Sequence, residues 1–541
     1  MSLSSTPGAQ IDSSGSNQHT QSENTARSPA HSLTLLASIS IFTFAVCYFR
    51  SFIFPSVPLL PGGDAIGFAN AATRILAGQL PYRDYLQVVP PGTDLTYALL
   101  LREFGLHTWI PNIVMATLAA IVALLITLIS MRVMQGISAA LPGLFLVGFL
   151  LPESLDGTHH WFSTVTALLA LLVLLGGDTF PRVAAAGALC GVTACFTQTK
   201  GAAILAAFVV YLIWKANRGS DPSRDWVRHC LLLSGAAAGI FAVVNAYFVW
   251  AVGLRQWWYC IVIFPLRYYP TPAINNWRIL AYDFGWRTGL SRWIAYPFVY
   301  ASVPFTCIVF LMSTRRRWKD KTEPWPELVL IALTGFFMFL AIAQSPSLKR
   351  LGSVGSPAMV LLAWMLRHPG RVTRLIRAGL IIAALMMALI TPVRTQLRWH
   401  ASLDLPGGRT AFEDKMQYQE YSWALEHTRP GQFFFGMPMY LPFHLRNPGP
   451  VDGLDASEYT RPEQVAALVQ GLEAHQVPLM ILPSEEKYPL ASGLPSNHLA
   501  PFRDYLCQNY QRTSIFANGD ELWQRRDAAV PLARCALETV R

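Results

Sequence analysis

Residues 61–85 read Pro61-Gly62-Gly63-Asp64-Ala65-Ile66-Gly67-Phe68-Ala69-Asn70-Ala71-Ala72-Thr73-Arg74-Ile75-Leu76-Ala77-Gly78-Gln79-Leu80-Pro81-Tyr82-Arg83-Asp84-Tyr85. Apolar positions 65, 68, 69, 72, 75 and 76 share one face of a helix that Asp64 is placed to cap and that Gly78 and Pro81 end. The helix follows an apolar run, Leu33 to Phe54, long enough to cross a bilayer. A carboxylate therefore opens an amphipathic helix just beyond a membrane span. Two roles for Asp64 stand side by side at this level: a helix cap, or a carboxylate presented for chemistry.

The composition agrees with a membrane setting. Of 541 residues, 52% are hydrophobic and 14% charged, against roughly a quarter charged in a soluble domain. An ordinary soluble enzyme is excluded. Residues 1–393 hold 28 Lys/Arg against 15 Asp/Glu, a balance of +13, and residues 394–541 hold 14 against 17, a balance of −3. No single soluble face collects the basic charge, so no nucleic-acid partner is expected. Residues 1–32 are polar and expected to be a disordered cytoplasmic tail.

Apolar stretches near 33–54, 109–131, 137–152, 160–176, 182–197, 201–215, 229–252, 293–312, 327–344, 351–366 and 374–393 predict about eleven transmembrane helices. The loops Lys215 to Arg228, Arg315 to Lys321 and Arg367 to Arg377 are basic and belong inside. Alternation then puts the N-terminus inside, and residues 55–108, 153–159, 253–292, 345–350 and everything after 394 outside. Thr93 to Phe104 is short and carries Asp94, Arg102 and Glu103, which predicts a helix lying on the outer leaflet. The fold class is thus an α-helical polytopic membrane protein, its membrane part spanning 33–393, with a soluble α/β domain at 394–541 on the outer face. Cys507 and Cys535 sit in that domain and can pair in an oxidising compartment.

The motif order resembles a known class. An Asp after the first span, the turn Gly78-Gln79-Leu80-Pro81-Tyr82-Arg83-Asp84, then Pro90-Pro91-Gly92 and Phe104-Gly105 resemble the GT-C membrane glycosyltransferases. Within them the pattern is similar to the bacterial branch related to protein O-mannosyltransferases and to the lipid A aminoarabinose transferase. Phe196-Thr197-Gln198-Thr199-Lys200-Gly201 resembles that group's Leu-Thr-Lys-Gly element. Leu155-Asp156-Gly157-Thr158-His159-His160 stands where the group has an outward Asp or His at a helix start. The chain departs from the pattern at Ala65, where many relatives have Glu, and at Lys349-Arg350-Leu351-Gly352-Ser353, where many have a Tyr after the Lys-Arg pair.

The resemblance implies an inverting glycosyltransferase that takes a sugar from a polyprenyl-phosphate donor on the outer face and gives it to a protein, lipid or glycan acceptor, among the lipids of a bacterial inner membrane. Such transfer needs a carboxylate to deprotonate the acceptor hydroxyl, cations to stabilise the departing phosphate, and an apolar groove. Seven of the fifteen acids before residue 394 fall outside: Asp64, Asp84, Asp94, Glu103, Glu153, Asp156 and Asp283. Asp64 is the expected base, matching the first-loop acid of the class. Asp156 is the second candidate, as base or as a group that positions the acceptor. Asp84 is read as a loop staple to Arg83 or Arg74.

For the donor phosphate the expected ligands are Lys200, Arg83, Lys349, Arg350 and His159. Lys200, between two apolar helices, must reach the surface or meet an anion. Outer loops without HxxxH, DxD or a paired acid predict chemistry without a metal or other cofactor. The loop 253–292 interleaves Trp257, Trp258, Tyr259, Tyr268, Tyr269 and Trp277 with arginines, which suits equally a headgroup belt and a sugar-stacking wall.

In the last part, Glu413 to His427 and Pro462 to His475, the latter capped after Thr460, read as helices. Gln432 to Gly436 and Val477 to Leu482 read as strands, and Asn518-Gly519-Asp520 as a hairpin turn. The rival function is a transporter or flippase of lipid-linked sugars. Such proteins often carry two repeated halves, and no internal repeat is visible in this sequence.

Overall fold

The computed structural model describes residues 29–218, 225–280, 293–318, 323–367, 369–436, 438–455, 457–483 and 498–527. The expected N-terminal tail, Asp283 and Cys535 lie outside the described residues, as does the Glu153 side chain. Helix α1 (Pro29–Ser51) leads through a short β1–β2 hairpin (Phe52–Ile53, Val57–Pro58) into α2 (Asp64–Leu76), α3 (Gly92–Phe104) and α4 (Trp109–Ser130). A broken segment follows, α5 (Leu141–Phe145), a π-helical turn (Leu146–Leu150) and α6 (Leu151–Ser154). Then come α7 (His159–Leu175), α8 (Phe180–Phe196), α9 (Gln198–Ala216) and α10 (Asp225–Val252). The bundle is completed by helices Ala295–Thr314, Trp325–Leu340, Leu348–Val354, Ser356–Met365 and Arg371–Leu397.

Each apolar stretch read as a span is helical over most of its length. Among the described residues, six helices are long and apolar enough to cross a membrane, and the other apolar helices run 10–17 residues. The stretch 351–366 is not one helix, because the chain breaks at Gly355 between Leu348–Val354 and Ser356–Met365. Helix α3 buries Asp94, Tyr97, Ala98 and Leu101 while Leu95, Leu99 and Phe104 are exposed. That one-sided burial fits the surface-lying helix expected from its sequence.

One apolar core joins α1, α4 and α7–α10 to the later helices, around the fully buried Trp161, Trp325 and Trp364. In a bilayer, helices associate through close packing because lipid is as apolar as the side chains. Gly187 and Gly191 show this on α8: a β-carbon there would lie 2.3 Å from Leu233 O and 2.5 Å from Ala237 O of α10.

The last part is an α/β unit. Strands β3 (Ala401–Leu405) and β4 (Gly408–Phe412) form a hairpin, and β5 (Leu479–Leu482), β6 (Tyr510–Ile515) and β7 (Glu521–Arg525) form an antiparallel sheet in the order β5-β7-β6. Helices Lys415–His427 and Pro462–Ala474 match the expected pair, although the N-cap position of the second is Arg461 rather than Thr460, its N–H donating to Gln464 Oε1 at 2.8 Å. The stretch 432–436 is not a strand. It makes only isolated bridges, Phe433 to Arg446 and Phe435 to Met480, because no continuous partner runs alongside it. Gly519 takes the left-handed φ of 89° that the expected hairpin turn requires. Cys507 is disulfide-bonded.

This unit is tied to the first loop rather than hung beside it. Leu60 N donates to Ala411 O at 2.9 Å, Leu441 N to Asn70 Oδ1 at 3.0 Å, and Thr108 Oγ1 lies 2.8 Å from Thr410 Oγ1.

Candidate active site

Helix α2 begins at Asp64 itself. Its N-cap is Gly63, in the left-handed region at φ 61°, and no side chain caps it. The carboxylate of Asp64 is therefore exposed and not used as a cap, which removes the capping role from the two read in the sequence. The buried face of α2 holds Ala65, Ile66, Phe68, Ala69 and Ala72, while Leu76, expected on that face, is exposed. A carboxylate in the first turn is favoured by the helix dipole, so the negative charge is stabilised there.

Asp156 sits on the turn between α6 and α7. It is 8% exposed; Oδ1 accepts from Thr158 Oγ1 at 2.6 Å, and Oδ2 accepts no hydrogen bond among the described residues. Lys349 Nζ stands 3.8 Å from Oδ2, and the same ammonium lies 3.1 Å from where a β-carbon on Gly63 would be. One cation thus bridges the Asp156 turn and the start of α2. Burial raises the Asp156 carboxyl to about 6, with Lys349 pulling it down and the negative charge of Asp64 pushing it up.

Arg350, the next residue, faces the aromatic loop. Its guanidinium donates to Tyr269 Oη at 2.8 Å and Asn275 Oδ1 at 2.9 Å, and also to Ser345. Tyr269 packs at a 59° tilt against Tyr459 of the α/β unit with ring centroids 6.1 Å apart, and the Tyr459 hydroxyl is raised in pKa by burial, by Tyr269 and by Asp64. The charge of Asp64 acts on both tyrosines: Tyr269, which the sequence places in the aromatic loop, and Tyr459, which no sequence signal marks. Tyr459 lies almost four hundred residues from Asp64, and no local pattern joins them.

His159 is half-buried, with its ring 3.9 Å from that of His160 and 5.2 Å from that of Phe68 on α2. Nδ1 of both histidines has no hydrogen-bond partner among the described residues.

Lys200 corrects the expectation. It does not reach the surface: its side chain is 0% exposed, and Nζ donates to His160 O at 2.8 Å, Ser353 Oγ at 3.0 Å and Thr164 Oγ1 at 3.2 Å, while its charge still acts on Asp156 and His159 above it. An ammonium has three donors and all three are used. The break at Thr197 between α8 and α9 turns Lys200 inward, where it knits α7, α9 and the Leu348–Val354 helix together.

Arg83 also stands apart. Both of its guanidinium bonds go to Asp84, at 2.9 and 2.8 Å, and hold that carboxyl below its ordinary range. Asp84 is thus the loop staple expected. Arg83 lines a separate cavity of about 160 Å³ with Gln256, Tyr259 and Glu463. Asp94 is buried beneath the loop, its Oδ2 accepting from Gln87 at 2.7 Å, and burial raises its carboxyl to about 7. The aromatic loop divides by residue. Trp258 and Trp277 are exposed, as a belt requires, whereas Tyr268 and Tyr269 turn inward toward Arg461 and Arg350.

The structure therefore brings Asp64, Asp156, Lys349, Arg350 and His159 to one place at the first-loop end of the bundle, with Lys200 below them and Arg83 elsewhere. No family model and no curated protein matches the sequence. Among solved structures, ArnT from Cupriavidus metallidurans bound to undecaprenyl phosphate aligns at TM-score 0.56 and 12% identity, covering 93% of this chain and 100% of that one. Its apo form aligns at 0.56 and 13%, covering 93% and 99%. The archaeal oligosaccharyltransferase AglB from Archaeoglobus fulgidus, in complex with an inhibitory peptide and a dolichol-phosphate, aligns at 0.48 and 13%, covering 93% and 75%. The two ArnT alignments cover 93% of this chain and nearly all of the other, and the chain shares the fold of ArnT.

Proposed function

We propose that the chain is an inverting glycosyltransferase that moves a sugar from a polyprenyl-phosphate donor to an acceptor hydroxyl on the outer face of a bacterial inner membrane, with the N-terminus cytoplasmic and the α/β unit outside. The observation that carries this reading is the exposed Asp64 carboxylate at the start of α2, not used for capping, beside the Lys349–Asp156 pair. Asp64 takes the proton of the acceptor hydroxyl as its oxygen bonds to the anomeric carbon. The bond from that carbon to the donor phosphate breaks, and the electron pair leaves with polyprenyl phosphate.

Lys349, with Arg350 and His159 beside it, stabilises the charge that grows on the departing phosphate. Asp156 holds Lys349 toward α2 and positions the acceptor. Lys200 positions rather than contacts: it fixes His160 and Ser353, and Ser353 Oγ donates to Arg350 O at 2.8 Å. The proposed chemistry is metal-independent, because an ammonium already bridges the Asp156 turn and the start of α2. Abolition by EDTA and restoration by a divalent ion would overturn that part.

The test is purified protein with a radiolabelled polyprenyl-phosphate sugar and a membrane extract. Wild type is expected to form labelled acceptor, and Asp64→Asn to lose at least about 100-fold of the rate while still binding undecaprenyl phosphate. Equal rates in the two would sink the assignment. Movement of label across vesicles with no new glycosidic product would identify a transporter instead.

A further inference from the structure

The α/β unit brings to the site one polar group that has no task inside the protein. Tyr459 is half-buried, its ring edge-on to Phe264 with centroids 5.4 Å apart and tilted against Tyr269 at 6.1 Å. The turn that carries it is fixed. Asp455 N donates to Thr460 Oγ1 at 2.7 Å, Ser457 N to Asp455 Oδ1 at 2.7 Å, and Ser457 Oγ lies 3.1 Å from Thr271 Oγ1 of the aromatic loop. Arg461, just beyond, stands 4.1 Å over the Tyr268 ring. The ring of Tyr459 is thus held, but its hydroxyl makes no hydrogen bond among the described residues.

Asp64 is in the same condition. Its carboxylate is exposed and accepts no hydrogen bond among the described residues. The Lys349–Arg350 pair links the two groups: Arg350 donates to Tyr269 Oη at 2.8 Å, and Lys349 Nζ lies 3.1 Å from where a β-carbon on Gly63 would be. The charge of Asp64 acts on Tyr459 with no hydrogen bond between them. An unused donor and an unused acceptor therefore border one gap.

Charge limits what can fill that gap. Asp64 repels an anion, and Arg350 gives its hydrogen bond to Tyr269 rather than Tyr459, so a phosphate is disfavoured there. The Tyr459 phenol keeps its proton, because burial first, then Tyr269 and Asp64, hold it above the ordinary tyrosine range. It therefore donates. A hydrogen bond donated to the attacking acceptor oxygen would weaken as that oxygen gives its electron pair to the new bond, and so would oppose the reaction. A hydroxyl of the transferred sugar meets neither objection.

We propose that Tyr459 contacts the transferred sugar, donating a hydrogen bond to one of its hydroxyls in the gap beside Asp64. The α/β unit then supplies a substrate-contacting side chain, and the site is incomplete without it. The inference rests on the glycosyltransfer reading and adds to it a residue that helps choose the sugar.

The test is equilibrium binding to full-length protein in neutral detergent, which needs neither acceptor nor turnover. Its probes are undecaprenyl phosphate and the undecaprenyl-phosphate esters of glucose, galactose, mannose and arabinose. Wild type is expected to bind at least one sugar-bearing probe more tightly than bare undecaprenyl phosphate. Tyr459→Phe keeps the ring and should weaken that probe about fivefold, with undecaprenyl phosphate affinity and melting temperature unchanged. Tyr269→Phe, which removes the hydroxyl that Arg350 holds, should change sugar-bearing and bare probes alike.

A preference for the sugar-bearing probe that persists in Tyr459→Phe would overturn the proposal, as would a wild type with no such preference. An equal loss for bare undecaprenyl phosphate would also overturn it, by moving Tyr459 to the phosphate or to the fold. Tyr459-dependent binding of a sugar-bearing probe with no transfer to any acceptor would count against the glycosyltransfer reading and leave the sugar contact standing.

Discussion

Tyr97 donates its hydroxyl to Gly157 O at 2.6 Å, so the surface helix α3 is pinned to the turn that carries Asp156. The fit leaves no room at residue 157. A β-carbon there would lie 2.3 Å from the Tyr97 hydroxyl and 3.2 Å from Pro111 O. Gly157→Ala is expected to destabilise the protein by about 1–3 kcal/mol and to lower transfer by displacing Asp156. Tyr97→Phe removes the atom in contact, so the double variant should be more stable than Gly157→Ala alone. Additive melting-temperature losses in the two single variants would show that the contact does not set the turn.

The pH profile follows from Asp156. Burial, and after it Asp64, raises its carboxyl to about 6, against the pull of Lys349. If its ionised form holds Lys349, activity should rise with pH through about 6 and then level. Lys349→Met removes the lowering charge and should move that limb upward by about one unit, whereas Asp64→Asn, assayed on its residual rate, should move it downward. The sign for stability is opposite to that of activity. The folded state binds this proton more tightly than the unfolded chain, so stability declines as pH rises toward about 6. A limb that stays fixed in Lys349→Met would detach Asp156 from the profile.

Most of the helical frame and the first-loop acid were legible because both rest on local pattern: hydropathy marks apolar helices, and Gly78 and Pro81 mark the end of α2. Asp64 was found as a position, but its freedom from capping depends on Gly63 taking a left-handed φ, which no residue spacing reports. Lys200 was misread for a physical reason. A lysine in an apolar stretch has two ordinary outcomes, surface or anion, and the third, three neutral acceptors on two other helices, depends on tertiary placement. Tyr459 carries no local signal likewise, since it joins the site only through chain folded back from hundreds of residues away. The β3–β4 hairpin did carry a local signal, Pro406-Gly407-Gly408, that went unread.

Lys200 gives a prediction that separates holding from binding. Lys200→Met keeps most of the length of the side chain and removes its charge and all three hydrogen bonds. Thr164 Oγ1 still donates to Ser353 O at 2.6 Å and Ser353 Oγ to Arg350 O at 2.8 Å, so the helices keep a partial tie. A loss of about 1–3 kcal/mol of stability and at least about tenfold in kcat is expected, with undecaprenyl phosphate affinity nearly unchanged. Lys349→Met should show the reverse, weaker donor binding with little loss of melting temperature. Loss of donor affinity in Lys200→Met equal to that in Lys349→Met would return Lys200 to the phosphate.

Arg74 is the joint between the first loop and the α/β unit. Its guanidinium is 7% exposed, pairs with Asp452 at 3.2 Å, donates to Gly449 O at 2.7 Å and to Gln79 Oε1 at 2.8 Å, and lies 4.5 Å over the Tyr85 ring. Because Tyr459 reaches the Asp64 side from the same unit, loosening this joint should act on the site without touching it. Arg74→Ala leaves Asp452 without its cation and is expected to cost about 3–5 kcal/mol, to expose the 401–527 unit to limited proteolysis, and to lower kcat more than donor affinity. Arg74→Lys restores a charge but not the planar fork and should recover only part of the loss. Asp452→Asn combined with Arg74→Ala should cost less than the sum of the two, since the second change removes a charge that the first has left unpaired. Full activity in Arg74→Ala with the protease-sensitive unit already released would show that the α/β unit has no part in placing the site.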